Sequence, residues 1–352
     1  MNLQEALLHK INNKTKPIVA LGILEDIALK VGLIQNSLSP QIKNPHIIVF
    51  AGDHGIAATG KVNPYPQEVT AQMILNFVKG GAAINVFCKQ HNIHLTVVDA
   101  GVNCDFDKSL PLVHAKIRKG TDDYSIYPAM SMEDAITATN KGAAIVQDIF
   151  DKGCNTIGFG EMGIGNTAAA ALIMHHYTNL PMSECTGRGT GSNDEQLQKK
   201  IEVLENVARM KDLTAYDITA HSLLSKVGGF EIAMIAGAFV KAYELGLLII
   251  VDGYIATAAL LVAISLLDEP GVNNTQVTTI SPLLNNCIFA HCSDENGHKK
   301  MLGHLGVKPL LHLNMRLGEG TGAALVIPLL QSAVNFLNEM ASFESAGVSN
   351  KN

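Results

Sequence analysis

The stretch Asn155-Thr156-Ile157-Gly158-Phe159-Gly160-Glu161-Met162-Gly163-Ile164-Gly165-Asn166-Thr167, running into Ala168-Ala169-Ala170-Ala171-Leu172, decides the fold class. Residues 155–159 read as a buried strand, 160–165 as a glycine loop and the alanine run as a helix. The same grammar recurs along the chain. His46–Phe50 leads into Ala51-Gly52-Asp53-His54-Gly55, and Ile93–Val98 into Asp99-Ala100-Gly101. Leu247–Val251 leads into Asp252-Gly253-Tyr254, and Ile288–His291 into Cys292-Ser293. Helical segments rich in Ala and Leu lie between these runs, at 131–151, 194–210, 229–245 and 254–267, and residues 1–35 also read as helical. Strand, loop and helix in alternation imply an α/β fold with a mostly parallel sheet covered by helices on both faces. Ligands on such sheets bind beyond the carboxyl ends of the strands. Asp53, Asp99, Glu161, Asp252 and Ser293 all fall there.

A second glutamate sits in the same kind of setting, in Gly318-Glu319-Gly320-Thr321-Gly322 running into Ala323-Ala324-Leu325. Glycines let backbone N–H groups approach a ligand closely, and a helix start favours an anion. Phosphate binding needs no carboxylate in such a loop and would be opposed by one. Two of them point to a site where a base takes a proton beside a phosphorylated substrate. The plainer alternative is a pair of glycine turns whose glutamates merely complement helix dipoles.

Composition narrows the class. The 352 residues are 47% hydrophobic and 16% charged, with 31 glycines and no tryptophan, which suits a large α/β enzyme core and not a disordered chain. The net charge of −6, without a long basic run, lacks the footprint of nucleic-acid binding. The most apolar stretch, Leu245–Leu267, carries Asp252 and Gly253 and reads as buried strand, turn and helix, so no membrane partner is expected. Six scattered cysteines without a Cys-x-x-Cys pair read as reduced thiols, and the amphipathic start Met1-Asn2-Leu3-Gln4-Glu5 is no signal peptide; a cytoplasmic protein is expected.

A third glycine loop, Cys185-Thr186-Gly187-Arg188-Gly189-Thr190-Gly191, precedes a helical run containing Lys199 and Lys200. Its N–H, hydroxyl and guanidinium donors suit a phosphate, although an arginine in a glycine-rich surface loop needs no ligand. The loop matches neither the P-loop nor the dinucleotide fingerprint. Asp53, Asp99 and Asp252 stand singly, and the paired Asp122-Asp123 does not follow a strand, which weighs against a magnesium-held pyrophosphate donor. His91, His94, His175 and His176 make no convincing metal set. No metal and no cofactor are expected.

Taken in order, Phe50–Gly55, Tyr65–Met73, Gly80–Asn85, Gly160–Thr167, Thr186–Gly191, Gly228-Gly229-Phe230-Glu231-Ile232, Val251-Asp252-Gly253 and Arg316–Leu325 resemble the nicotinate-nucleotide–dimethylbenzimidazole phosphoribosyltransferase family over nearly the whole chain. The resemblance implies transfer of the ribose 5-phosphate of nicotinate mononucleotide to 5,6-dimethylbenzimidazole, giving α-ribazole 5′-phosphate and nicotinate in cobalamin biosynthesis. The pyridinium is already a good leaving group, so no metal-bound pyrophosphate is required. The base of the family's Arg-Leu-Gly-Glu-Gly motif is here Glu319. Glu161 is expected either to bind the ribose hydroxyls or to steady oxocarbenium character. Gly163, Gly187, Arg188, Lys200 and Ser293 are expected on the nucleotide, and Gln72 and Leu317 near the acceptor base. Many relatives have a serine just before the Tyr-Pro stretch, where this chain reads Asn63-Pro64-Tyr65-Pro66.

The expected architecture is a three-layer, Rossmann-like α/β domain of residues 31–324 with a smaller helical domain from 1–30 and 325–352. The resemblance further implies a homodimer. Two other functions fit the residues less well: the same transfer to a different base, and a nucleotide-binding regulator without catalysis. A competition assay among bases separates the first, and tight mononucleotide binding without turnover marks the second.

Overall fold

A computed structural model describes residues 1–189, 191–268 and 281–349. Among these residues six strands form one sheet: β1 (His46–Gly52), β2 (His94–Gly101), β3 (Val113–His114), β4 (Thr156–Met162), β5 (Leu248–Val251) and β6 (Cys287–Phe289). The order is β3-β2-β1-β4-β5-β6 and every pairing is parallel. Chain order reverses between β1 and β4, the point where such sheets open a crevice at their carboxyl edge. The two-residue edge strand β3 carries no run long enough to be read from sequence.

Alternation along the strands divides the core in two. Ile48, Phe50, Ile157, Phe159, Ile249 and Val251 face one layer, whereas Ile47, Val49, Ala51, Leu248 and Ile250 face the other. The second layer is built from α1 (Leu3–Asn12), α2 (Ile23–Ile34), α3 (Val69–Val78), α4 (Ala83–Gln90) and, at the far end of the chain, α13 (Thr321–Glu339). The first holds α5 (Met132–Asp151), α6 (Asn166–Thr178), α7 (Met182–Cys185), α8 (Asp194–Met210), α9 (Ala220–Val227), α10 (Phe230–Glu244), α11 (Tyr254–Asp268) and α12 (Asn296–His304). The three-layer α/β expectation is met. By length and composition α13 is apolar enough to cross a membrane, but its apolar residues, from Ala323 to Leu337, are buried against α2 and the sheet. All six cysteines are free.

The expected helices at 131–151, 194–210, 229–245 and 254–267 appear within a residue of those limits. One local reading is corrected. Gly160 and Glu161 do not lie in a loop: β4 continues to Met162, with Glu161 opposite Phe50 and Met162 opposite Ala51 of β1. The turn begins only at Gly163. Glycine at 160 serves a close approach, since a Cβ there would lie 2.2 Å from the carbonyl carbon of Glu319.

Candidate active site

The two glutamate motifs, more than 150 residues apart in sequence, meet backbone to backbone. Glu319 donates its N–H to the Glu161 carbonyl at 3.2 Å. A Cβ on Gly318 would stand 1.9 Å from Glu161 Oε1, so the Glu161 side chain lies across that glycine. Glu319 and Gly320 both take left-handed backbone conformations, with φ of 67° and 81°. For a glutamate that conformation is unfavourable and persists only where the surroundings impose it.

Both carboxyls are buried but in different surroundings. Burial pushes Glu161 up to about 8, against a hydrogen bond from Asn166 Nδ2, and the neighbouring carboxylates Glu231, Asp252 and Glu319 push the same way. Burial also raises Glu319, while the backbone N–H of Ile84, in the first turn of α4, holds it down. Glu319 Oε2 has no hydrogen-bond partner among the described residues. Two carboxyls whose environments set them apart are the raw material of acid–base division of labour.

Glu161, Gly163, Ser293, Leu317 and Glu319 line one cavity of about 120 Å³ at the carboxyl edge of β4, β5 and β6. A wider recess of about 570 Å³ adjoins it, lined among others by Gly187, Arg188, Ser293 and Arg316. Gly189, Ser293, Glu295 and Arg316 border both, so the two communicate. A recess of that size falls in the range that holds a small ligand.

Lys200 is buried beneath the third glycine loop, its Nζ donating to Thr167 Oγ1 at 2.9 Å and to the Gly187 carbonyl at 3.3 Å. Burial lowers it to about 8, opposed by Glu295. Arg188 is half-exposed, donates to the Ser192 carbonyl at 3.0 Å and pairs with Asp194, so its guanidinium is free to re-partner at little cost. Thr190 of the same loop lies outside the described residues. Gln72 sits on the exposed face of α3 and lines neither cavity. Its helix is nonetheless tied to the site, because Thr70 Oγ1 accepts the Ile164 N–H at 3.1 Å.

Other residues of the site carried no assignment from sequence. Glu295 accepts the Gly189 N–H at 3.4 Å and borders both cavities. His291 is fully buried against the first cavity, with neither ring nitrogen hydrogen-bonded to a side chain among the described residues, and Asn166 orients Glu161. Asn166, His291 and Arg316 all lie inside quoted runs, which was the signal that could have been used, whereas Glu295 lies in none. His175 and His176 bond backbone carbonyls through Nδ1, at 2.7 Å to Leu180 and 2.6 Å to Leu213.

A family model described as a phosphoribosyltransferase matches residues 1–348. The chain belongs to the nicotinate-nucleotide–dimethylbenzimidazole phosphoribosyltransferase family. It is 50% identical to the enzyme of that name from Dechloromonas aromatica, across 99% of this chain and 96% of the relative. To the one from Cupriavidus necator it is 51% identical, across 99% and 95%. Among solved structures it is similar to CobT from Thermus thermophilus, with a TM-score of 0.90, 36% identity and 99% of each chain covered. The overall fold described above is thus shared with that structure.

Proposed function

We propose that this protein transfers the ribose 5-phosphate of nicotinate mononucleotide to 5,6-dimethylbenzimidazole, with Glu319 as general base. The observation that carries the reading is the Glu319 carboxylate. It is buried at the cavity wall, raised by burial above the ordinary carboxyl value, and keeps one oxygen without a partner among the described residues, free to accept a proton. The names of the relatives supply the two substrates.

The chemistry then balances without a further reactant. A ring nitrogen of the benzimidazole attacks the anomeric carbon, and the bond from that carbon to the pyridinium nitrogen breaks. Its electron pair neutralises the leaving nicotinate ring. The proton on the acceptor's other nitrogen passes to Glu319. General-base help of this kind supplies roughly 10²–10⁴-fold, and holding both rings in line contributes at least as much. Glu161 at about 8 is protonated near neutrality and suits a hydrogen bond to a ribose hydroxyl. Lys200 beneath the third glycine loop and Arg188 at the wider recess supply positive charge for the phosphate, and Gly163, Gly187 and Ser293 border the nucleotide. Leu317, 47% exposed at the cavity mouth, offers an apolar face to the acceptor, with Gln72 on the α3 side.

Three further assignments accompany this reading. Exposed apolar residues Ile18 and Val19, 72% and 66% accessible, favour a homodimer, which light scattering checks. Residues 1–30 and 325–352 are taken as a small helical unit, supported by the Lys14–Ser342 bridge and by α2 packing on α13. Its apolar face is shared with the sheet. The working compartment is the cytoplasm, in keeping with six free thiols.

The test is direct: purified protein, nicotinate mononucleotide and 5,6-dimethylbenzimidazole without added metal, with products separated by chromatography. The expected outcome is nicotinate release with a new ribotide, abolished in Glu319→Gln while mononucleotide binding persists. Full turnover in Glu319→Gln would remove the base. Release only with another aromatic base would keep the mechanism and change the acceptor.

A further inference from the structure

We propose that Asp252 is the positioning residue for the base: its carboxylate clamps the first turn of α13 and thereby fixes the Glu319 carboxylate in the cavity. The inference rests on Glu319 being the base.

Three observations carry it. First, α13 has no side-chain cap of its own, because its N-cap is Gly320. A helix start leaves several backbone N–H groups without partners, and Asp252, immediately after β5, meets them from the neighbouring strand. Its Oδ2 accepts the Gly320 N–H at 3.1 Å and its Oδ1 accepts the Ala323 N–H at 2.9 Å. Second, the backbone it holds is the unfavourable one. Glu319 and Gly320 are consecutive left-handed residues, pinned on the other side by the Glu319 N–H to Glu161 carbonyl bond. Without Asp252 the Gly320 and Ala323 N–H groups would lack a buried partner, and Glu319 could relax out of that conformation. Third, the fit leaves no slack: a Cβ on Gly322 would lie 2.9 Å from Asp252 Oδ1 and 2.2 Å from the ring of His291.

The ionisable groups facing Asp252 are Glu319 from α13, Glu161 from β4 and His291, whose Nε2 is 3.9 Å away. Burial pushes Asp252 up to about 7, and Glu319 adds to that. Asp252 thus acts on Glu319 through the backbone that carries it.

The test uses Asp252→Ala and Asp252→Asn in the full chain, beside Glu319→Gln. A displacement of the base by about 1 Å costs on the order of 10²-fold, so kcat in Asp252→Ala should fall by about that factor with KM for the mononucleotide unchanged. Asp252→Asn should recover part of the loss, since one amide oxygen still accepts an N–H. A merely structural role would not spare KM while lowering kcat. Wild-type kcat in either folded variant, or a KM that rises as steeply as kcat falls, overturns the proposal. If Asp252→Ala does not fold, Asp252→Asn decides alone. Turnover surviving in Glu319→Gln would instead sink the base assignment, a result distinguishable from an inert Asp252.

Discussion

Replacing Glu161 by glutamine should stabilise the protein, and by an amount that depends on pH. Glu161 is 7% exposed, and burial beside three other carboxylates moves it from an ordinary 4.5 to about 8. A raised folded-state value means the native protein binds a proton that the unfolded chain has released. The associated stability is complete below about pH 4.5 and is lost as pH rises through about 8. Each pH unit across that window is worth about 1.4 kcal/mol, so the wild type forfeits on the order of 4 kcal/mol by pH 8. The amide has almost the same shape, keeps an oxygen for Asn166 Nδ2 and does not titrate. Unfolding entropy of about 2.1 cal/mol/K per residue over 352 residues gives about 0.7 kcal/mol/K. The Tm advantage of Glu161→Gln should therefore grow by about 5 °C between about pH 5 and about pH 8.5. Differential scanning calorimetry across that range measures it, and any pH-independent difference in hydrogen bonding cancels. A Tm difference that stays flat, or that favours the wild type more at high pH, refutes the argument that this carboxyl is held protonated by burial. The variant should at the same time lose turnover, since Glu161 lines the reacting cavity. Stability would then have been given up for function at this position.

Lys200→Met should raise KM for the mononucleotide about 10–100-fold, the worth of one charge-assisted hydrogen bond, with a smaller change in kcat; an unchanged KM would place the phosphate elsewhere. Gly142→Ala should destabilise by about 1–3 kcal/mol, because its Cβ would lie 1.9 Å from the Met234 carbonyl where α5 crosses α10. Alanine's helix propensity favours it by only about 1 kcal/mol, so urea unfolding of equal or greater stability would contradict this packing.

Much of the fold was legible because its signals are local. Short apolar runs ending in Gly or Asp, with Ala-rich helices between them, gave the parallel sheet, and the strand limits differ from observation mainly at their ends. The limit at Glu161 was missed for a physical reason. A glycine between apolar residues looks like a turn, whereas Gly160 is strand backbone kept bare so that Glu319 can pack on it. β3, two residues long, has no pattern at all.

What the sequence determined by itself was the presence of two glutamates in glycine settings and a third, donor-rich loop, since residue type and spacing state these outright. Charge balance and motif content also follow from composition alone. Only the tertiary structure decided that the two glutamate motifs touch, that Ile84 on α4 faces one of them, and that Asp252 caps the helix bearing the other. These are contacts between segments up to 235 residues apart. They arise because parallel strands deliver every carboxyl end to one edge of the sheet, and burial there changes a carboxyl's ionisation in a way no single segment records.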